Sequence, residues 1–296
     1  MIAIDWGTSS LRGARLDDTG AVLEERTSAD GLLKVPPGQF ATVLEAFCGD
    51  WARPEGLLTL ISGMAGSKQG WVEAPYCPCP AGFDEVARQL KWIEPGRVAI
   101  VPGLCCEHAH APDVMRGEET QIFGALQLTG LRDGLFVLPG THSKWAQVQA
   151  GRVASFKTFM TGEVFALLSQ QSILSKTIDT VAALDRQAFL KGVDQAALGG
   201  SLLHNAFGAR TLSLLGRRSA AELASFLSGL VIGEELRANP LHKALAKADE
   251  VVLIGAEALT LRYALAFEHL GVPSRALGSE STWAGHFALS QTLTGN

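Results

Sequence analysis

The opening residues constrain the fold most. Ile2-Ala3-Ile4-Asp5 reads as a short buried strand running into the glycine-hydroxyl turn Trp6-Gly7-Thr8-Ser9-Ser10, followed by Leu11-Arg12. A weaker copy lies further on, where Phe136-Val137-Leu138-Pro139 runs into Gly140-Thr141-His142-Ser143-Lys144-Trp145. Each Gly-Thr pair is followed by a polar strand, a second turn (Asp17-Asp18-Thr19-Gly20 and Ala150-Gly151) and a short strand carrying Val22 or Val153. Glycine lets a backbone approach a phosphate with no Cβ in the way. Successive N–H groups in a tight turn form an anion-binding concavity. Two such hairpins can grip a polyphosphate from two sides. Taken alone, the first is equally an ordinary β-turn with a surface arginine; the second copy weighs against that.

Length and composition bound the rest. A chain of 296 residues predicts one large domain or two medium ones. With 47% hydrophobic and 19% charged residues it can bury a real core. A net charge of −5 argues against a general nucleic-acid binder and leaves any anionic substrate to a few local cations. No basic leader followed by an apolar run is visible, and no apolar stretch approaches the roughly 20 residues of a membrane span. The expectation is a cytoplasmic protein. The cysteines, Cys48, Cys77, Cys79, Cys105 and Cys106, are odd in number and read as reduced thiols. A soft-metal cluster with His108 and His110 is disfavoured, because no Cys-x-x-Cys pair is present.

The order of elements is that of an α/β protein with two related lobes. Ile2 to Asp5, Leu11 to Leu16 and Val22 to Arg26 predict an antiparallel meander. Phe40 to Trp51 predicts a helix, Leu57 to Ser62 and Val98 to Val101 predict strands, and a helix follows from about Gly117. Leu135 to Leu138, Lys144 to Gln149 and Val153 to Phe156 repeat the strand plan. Thr161 to Arg237 reads as mostly helical, with Leu167/Leu168, Leu202/Leu203 and Leu214/Leu215 as core faces. Val251 to Ile254 is a buried strand, and a helix with Leu259, Tyr263, Ala266/Phe267 and Leu270 on one side stops at Gly271. A last helix starts at Ser281 with Trp283, Phe287 and Leu289 toward the core. The expected lobes are 1–130, with the first hairpin and the long glycine-rich loop, and 131–296, with the second hairpin and an adenosine motif. The ligand is expected in the cleft between them.

Four motifs carry chemistry. Gly7, Thr8, Ser9 and Arg12 suit phosphates, as do Gly140 and Thr141; Asp5 at its strand end suits Mg²⁺, usually through water. Glu118 and Glu119, in Arg116-Gly117-Glu118-Glu119-Thr120-Gln121, open a helix. A carboxylate there is either simple dipole compensation or a base for an attacking hydroxyl. Gly255, Ala256 and Glu257 form a strand-Gly-helix junction that suits adenosine or merely packs helix on sheet. The loop from Gly63 to Tyr76 is long and glycine-rich, and its Ser67 and Lys68, with Arg116 nearby in the motif above, are candidates for substrate binding. Trp71 or Tyr76 is a candidate for stacking on a sugar chain.

This order of parts resembles the sugar kinase/actin/heat-shock chaperone superfamily, which implies two ribonuclease H-like, actin-like ATPase lobes. Asp5-Trp6-Gly7-Thr8-Ser9-Ser10-Leu11-Arg12 resembles its first phosphate motif, and Gly117-Glu118-Glu119 with Phe123-Gly124-Ala125 the segment bearing the catalytic base. Ser62-Gly63-Met64-Ala65-Gly66-Ser67, Glu73-Ala74-Pro75-Tyr76, Arg116 to Gln121, Leu138 to Trp145 and Phe159-Met160-Thr161-Gly162-Glu163 together resemble the 2-dehydro-3-deoxygalactonokinase family. The resemblance covers essentially the whole chain. It implies Mg²⁺- and ATP-dependent phosphorylation of 2-dehydro-3-deoxy-D-galactonate at its C6 hydroxyl, in D-galactonate catabolism. Glu118, which directly follows the glycine, is the favoured base, and Arg116 and Lys68 are candidates for the substrate carboxylate. The rival readings are a same-fold kinase for another sugar or sugar acid, and an ATP-switched interaction protein. No nucleic-acid or membrane partner is expected, and a homodimer is compatible with the reading.

Overall fold

The computed structural model describes residues 1–52, 57–109, 111–238 and 249–294. The chain forms two compact units that are not simple halves. One comprises Met1–Asp133, Ala146–Lys157 and Leu277–Asn296; the other comprises Gly134–Trp145 and Thr158–Ala276.

In the first unit, β1 (Ile2–Trp6), β2 (Leu11–Leu16) and β3 (Val22–Ser28) form the expected antiparallel meander. Helix α1 (Phe40–Cys48) follows, ending earlier than Trp51 because Gly49, with φ of 54°, breaks it into a 3-10 turn. Strand β4 (Thr59–Gly63) then pairs with β1 in parallel. Next come β5 (Tyr76–Pro78), α2 (Phe83–Ala87), β6 (Lys91–Glu94), β7 (Val98–Ile100), β8 (Gly103–Cys106), β9 (Asp113–Met115) and α3 (Glu118–Thr129). The main sheet runs β3-β2-β1-β4-β7-β6, and β5-β8-β9 form a small separate sheet. Trp6 anchors the core beneath them, edge-on to Phe40 at 5.4 Å and to Trp71 at 6.4 Å.

The remaining strands are β10 (Gly134–Leu138), β11 (Ser143–Gln149), β12 (Arg152–Phe159), β13 (Val251–Ile254) and β14 (Ser274–Leu277), in the order β12-β11-β10-β13-β14. The helices of this part are α4 (Thr161–Ala166), α5 (Arg186–Ala197), α6 (Leu202–Leu214), α7 (Ala220–Arg237) and α8 (Glu257–His269). The chain closes with α9 (Glu280–Thr294), which belongs to the first unit. Ser219 and Glu222 form a capping box that starts α7. Helix α7 is buried almost all round, and α5 crosses it at Gly192 and Gly229. A Cβ on Gly229 would stand 1.9 Å from the Phe189 carbonyl oxygen, so only glycine allows that approach.

Several expectations change. Leu203, Leu214 and Leu215 are strongly exposed and Leu167 is 43% exposed, so these leucines are not core faces; Leu168 and Leu202 do pack on the helical cluster. Helix α6 has Leu residues on more than one side, and paired leucines carry no face preference by themselves. Leu270 is 47% exposed because α8 ends at His269 before it. Trp283 and Leu289 are buried, as their spacing predicts. The candidate metal ligand His110 lies outside the described residues; among those described, no group of three His, Cys, Asp or Glu side chains is placed to hold a metal ion.

Helix α3 reaches its position by close packing on α9. A Cβ on Gly124 would stand 1.6 Å from the Ser281 carbonyl oxygen, and one on Gly285 1.9 Å from the Thr120 carbonyl oxygen. Gly285→Ala should therefore destabilise the protein by about 3 kcal/mol through backbone displacement. Gly208→Ala in α6 meets nothing within 4 Å and should gain about 0.5–1 kcal/mol from helix propensity. Urea unfolding of the two variants beside the parent checks both signs.

Candidate active site

In the first unit the hydroxyl turn leaves β1 where the sequence predicts it. Gly7 N donates to Ser10 O at 2.9 Å, closing the turn. Leu32 N and Leu33 N donate to the carbonyls of Gly7 and Thr8, so the segment after Asp30 braces the turn from outside. A Cβ on Gly31 would stand 2.2 Å from the Ser9 carbonyl carbon, so that brace needs glycine. Thr8 and Ser9 are exposed and Asp5 is only 16% exposed. Antiparallel pairing sets Arg12 opposite Asp5, and their side chains form an ion pair.

Three loops converge on this strand end. The β1–β4 register places Ser62 beside Asp5 and Gly63 beside Trp6. A Cβ on Gly63 would stand 2.7 Å from the Trp6 carbonyl oxygen and 3.3 Å from Asp5 Oδ1. A Cβ on Gly117, the N-cap of α3 with φ of 102°, would stand 3.2 Å from Gly63 Cα. The glycines thus bring the start of α3, and both candidate carboxylates, to the strand end that carries Asp5. His286 on α9 is fully buried near Asp5; burial lowers its pKa and keeps it neutral.

The two glutamates differ sharply. Glu119 is fully buried. Its Oε2 accepts from Gly117 N at 2.7 Å and its Oε1 from Thr120 Oγ1 at 3.1 Å. Burial, with the neighbouring Glu118 charge, pushes its pKa up to about 8. Glu118 is partly exposed and accepts from Arg116 N at 3.0 Å.

The long loop after β4 splits its candidates. Trp71 stacks on Phe40 at 6.2 Å with an interplanar angle of 11°, so it is part of the core and not a platform for sugar. Lys68 is exposed. The Arg116 guanidinium lies over the Tyr76 ring at 4.4 Å and donates through Nη2 to the Ala74 carbonyl at 2.8 Å. It also packs directly on Gly66, where a Cβ would stand 2.6 Å from Nη1. Arg116 Nε and Nη1 and Ser67 Oγ are buried, and among the described residues none has a hydrogen-bond partner. Donors left unpaired in this way cost free energy unless a ligand or water accepts from them.

In the second unit, Gly140 and Thr141 form the turn between β10 and β11. Gly255, with φ of 148°, packs against it: a Cβ there would stand 3.4 Å from the Pro139 carbonyl oxygen. The start of α4 also packs on the turn, a contact not foreseen from the sequence. A Cβ on Gly162 would stand 2.4 Å from the Gly140 carbonyl oxygen, and Glu163 N donates to Thr141 O at 3.0 Å. His142 pairs with Glu163 at 2.6 Å, and Lys144 is buried with Nζ donating to Thr158 Oγ1 at 2.8 Å. Both side chains are therefore engaged by the fold. Beside the turn is a cavity of about 220 Å³ whose lining includes Gly140, Thr161, Gly162, Leu259, Arg262 and Tyr263. The helix α8 residues on its wall, Leu259, Arg262 and Tyr263, lie in the first two turns of that helix, beyond Gly255, Ala256 and Glu257. A strand-Gly-helix pattern marks the junction but not which later residues face inward.

The family model for 2-keto-3-deoxy-galactonokinase matches residues 5–289. The chain is 38% identical to the probable 2-dehydro-3-deoxygalactonokinase DgoK1 of Rhizobium meliloti, covering 98% of this chain and 96% of that one. It is 34% identical to the 2-dehydro-3-deoxygalactonokinase of Escherichia coli, with 95% and 94% covered. A crystal structure assigned as a 2-dehydro-3-deoxygalactonokinase from Sinorhizobium meliloti superposes with a TM-score of 0.90 at 37% identity, covering 99% and 98% of the two chains. At the level of fold alone, a xylulose kinase from Lactobacillus acidophilus superposes with a TM-score of 0.50 at 12% identity, covering 100% and 89%. The α/β architecture is that of the actin-like sugar kinases, and by its sequence the chain belongs to the 2-keto-3-deoxy-galactonokinase family.

Proposed function

We propose that this chain transfers the γ-phosphoryl group of ATP to the C6 hydroxyl of 2-dehydro-3-deoxy-D-galactonate. Family membership supports the reaction class and the keto-deoxy sugar acid. The observation that carries the acid's recognition is the buried, unpaired donor set of Arg116 Nε, Arg116 Nη1 and Ser67 Oγ. A substrate carboxylate supplies the missing acceptors and the negative counter-charge that Arg116 lacks among the described residues. Lys68, exposed on the same loop, adds long-range attraction.

Phosphate groups are held by the backbone and hydroxyls of Gly7, Thr8 and Ser9 with Arg12, and by Gly140 and Thr141. Adenosine is assigned to the 220 Å³ cavity beyond Gly255, Ala256 and Glu257. The residues at the end of β1 fit Mg²⁺: Asp5 is a hard oxygen ligand, and Gly63 keeps the space beside Oδ1 free of a side chain. Asp5 would hold the ion, which would neutralise charge on the transferring phosphoryl group. The sugar C6 oxygen attacks the γ-phosphorus as the bond to the ADP oxygen breaks, and the hydroxyl proton passes to a carboxylate. Glu118 is assigned that proton, because it is accessible, whereas Glu119 is sealed and largely protonated at neutral pH. Glu119 serves instead to fix Gly117, and through it the geometry of Glu118. The cytoplasm is the assigned compartment; none of the described helices is long and apolar enough to cross a membrane.

A coupled ADP-release assay with Mg·ATP tests the reading. Turnover is expected on the galactonate acid, and activity confined to glucose would sink the sugar-acid assignment. Glu118→Gln should lower kcat by a factor on the order of 10² or more with little change in KM for ATP. Arg116→Lys should raise KM for the sugar acid by about 10–100-fold and leave KM for ATP unchanged, as expected when a bidentate charge-assisted contact is lost. The raised pKa of Glu119 predicts a pH dependence of stability. The folded state holds this proton between the ordinary value of 4.5 and about 8, while the unfolded chain releases it. Stability from this group is therefore complete below pH 4.5, falls as pH rises through that window, and levels off above it. Urea unfolding at several pH values should show the decline in the parent and a flatter profile in Glu119→Gln.

A further inference from the structure

Glu235 lies near the C-terminal end of α7 and is 3% exposed. Nothing in its local sequence marks it as functional. Yet its carboxylate collects four side-chain donors from separate segments of the second unit. Oε1 accepts from Ser143 Oγ at 2.8 Å and from Trp145 Nε1. Oε2 accepts from Tyr263 OH at 2.6 Å and from Thr161 Oγ1. Tyr263 OH also reaches Ser143 Oγ at 3.3 Å, closing the network into a ring. Burial pushes the carboxyl's pKa up, and the four donors work against that rise.

A buried carboxylate that makes no ion pair among the described residues is a costly way to fill a core. An apolar side chain of similar size would fill the space without desolvating a charge. What the carboxylate adds is directional: four donors must point at two oxygens at once. Those donors sit where the nucleotide half-site is built. Ser143 and Trp145 begin the strand leaving the Gly140-Thr141 turn. Thr161 starts α4, whose Gly162 touches Gly140. Tyr263 is on α8, one wall of the cavity beside that turn. Thr161 and Tyr263 present one side to Glu235 and another to the cavity.

We propose that Glu235 is a positioning residue for ATP: it locks the Gly140-Thr141 turn, the start of α4 and the cavity wall of α8 into one arrangement, and so sets nucleotide affinity without touching the nucleotide. The proposal rests on the assignment of adenosine and phosphate to this half-site. It gives the second unit a preformed pocket, because the four donors are ordered before the ligand arrives. Ser143 acts through Glu235 in the same way, although it does not line the cavity.

Glu235→Gln keeps the volume. Its amide oxygen can still face Trp145 and Ser143, and its NH₂ can donate to the hydroxyls of Thr161 and Tyr263, so the variant is expected to fold. It loses the common acceptor and should raise KM for ATP, and the calorimetric Kd for ADP, about tenfold, with KM for the sugar acid unchanged. Ser143→Ala, a smaller change, should move both nucleotide constants in the same direction, and adding it to Glu235→Gln should give less than the product of the two effects. If Glu235→Gln does not fold, Ser143→Ala carries the test alone. Lowered Tm with parental ATP and ADP constants would make the network structural only and overturn the proposal. A parent protein that binds no ADP would instead overturn the nucleotide assignment, and the proposal with it.

Discussion

The parallel pairing of β1 with β4 is the constraint on which the first unit's chemistry depends. It sets Ser62 beside Asp5 and Gly63 beside Trp6. Because Gly63 has no side chain, Gly117 can approach it, and α3 starts next to the strand that ends in Asp5. A side chain at either glycine would push the start of α3, and its two carboxylates, away from that strand end. The packing of α3 on α9 through Gly124 and Gly285 holds that start from the other side. The C-terminal helix therefore belongs structurally with the N-terminal strands, and the two units interleave along the chain.

The polar groups buried in the two units are treated in opposite ways, and the contrast is informative. Arg116 and Ser67 keep donors with no acceptor among the described residues, a state that costs free energy until something accepts from them. Glu235 is saturated by four donors from its own unit. An unsatisfied set is what a site for an anionic ligand looks like before the ligand binds. A saturated set is what a rigid support looks like. Glu119 belongs with the second kind: its hydrogen bonds go to its own helix start, and its raised pKa reflects burial more than any role in proton transfer.

Much was legible locally. The glycine-hydroxyl turns, the meander, the start of α3 and the buried strand before Gly255 all appear close to where their residues predict, because each depends on contacts within a few residues. The small sheet β5-β8-β9 was missed because its strands are three or four residues long and carry no alternating pattern. The leucine pairs of α6 misled because hydrophobicity says that a residue can be buried, not that a partner exists to bury it; Leu203 and Leu214 find none among the described residues of the chain. Trp71 looked like a binding residue from its place in a glycine-rich loop, yet Trp6 and Phe40 claim it for the core.

By itself, the sequence determined the class of fold, the two glycine-hydroxyl turns, the pair of carboxylates at a helix start and the candidate cations of the long loop. These follow from residue type and short spacing, which local backbone geometry converts directly into structure. Only the tertiary structure decided which glutamate is sealed and which is reachable, that Arg116 rather than Lys68 holds buried unpaired donors, and that Gly162 supports the second turn. It alone revealed Glu235, whose partners lie up to 92 residues away in the chain. Burial and hydrogen-bond saturation are properties of what surrounds a side chain in space, and no spacing rule along a single segment can report them.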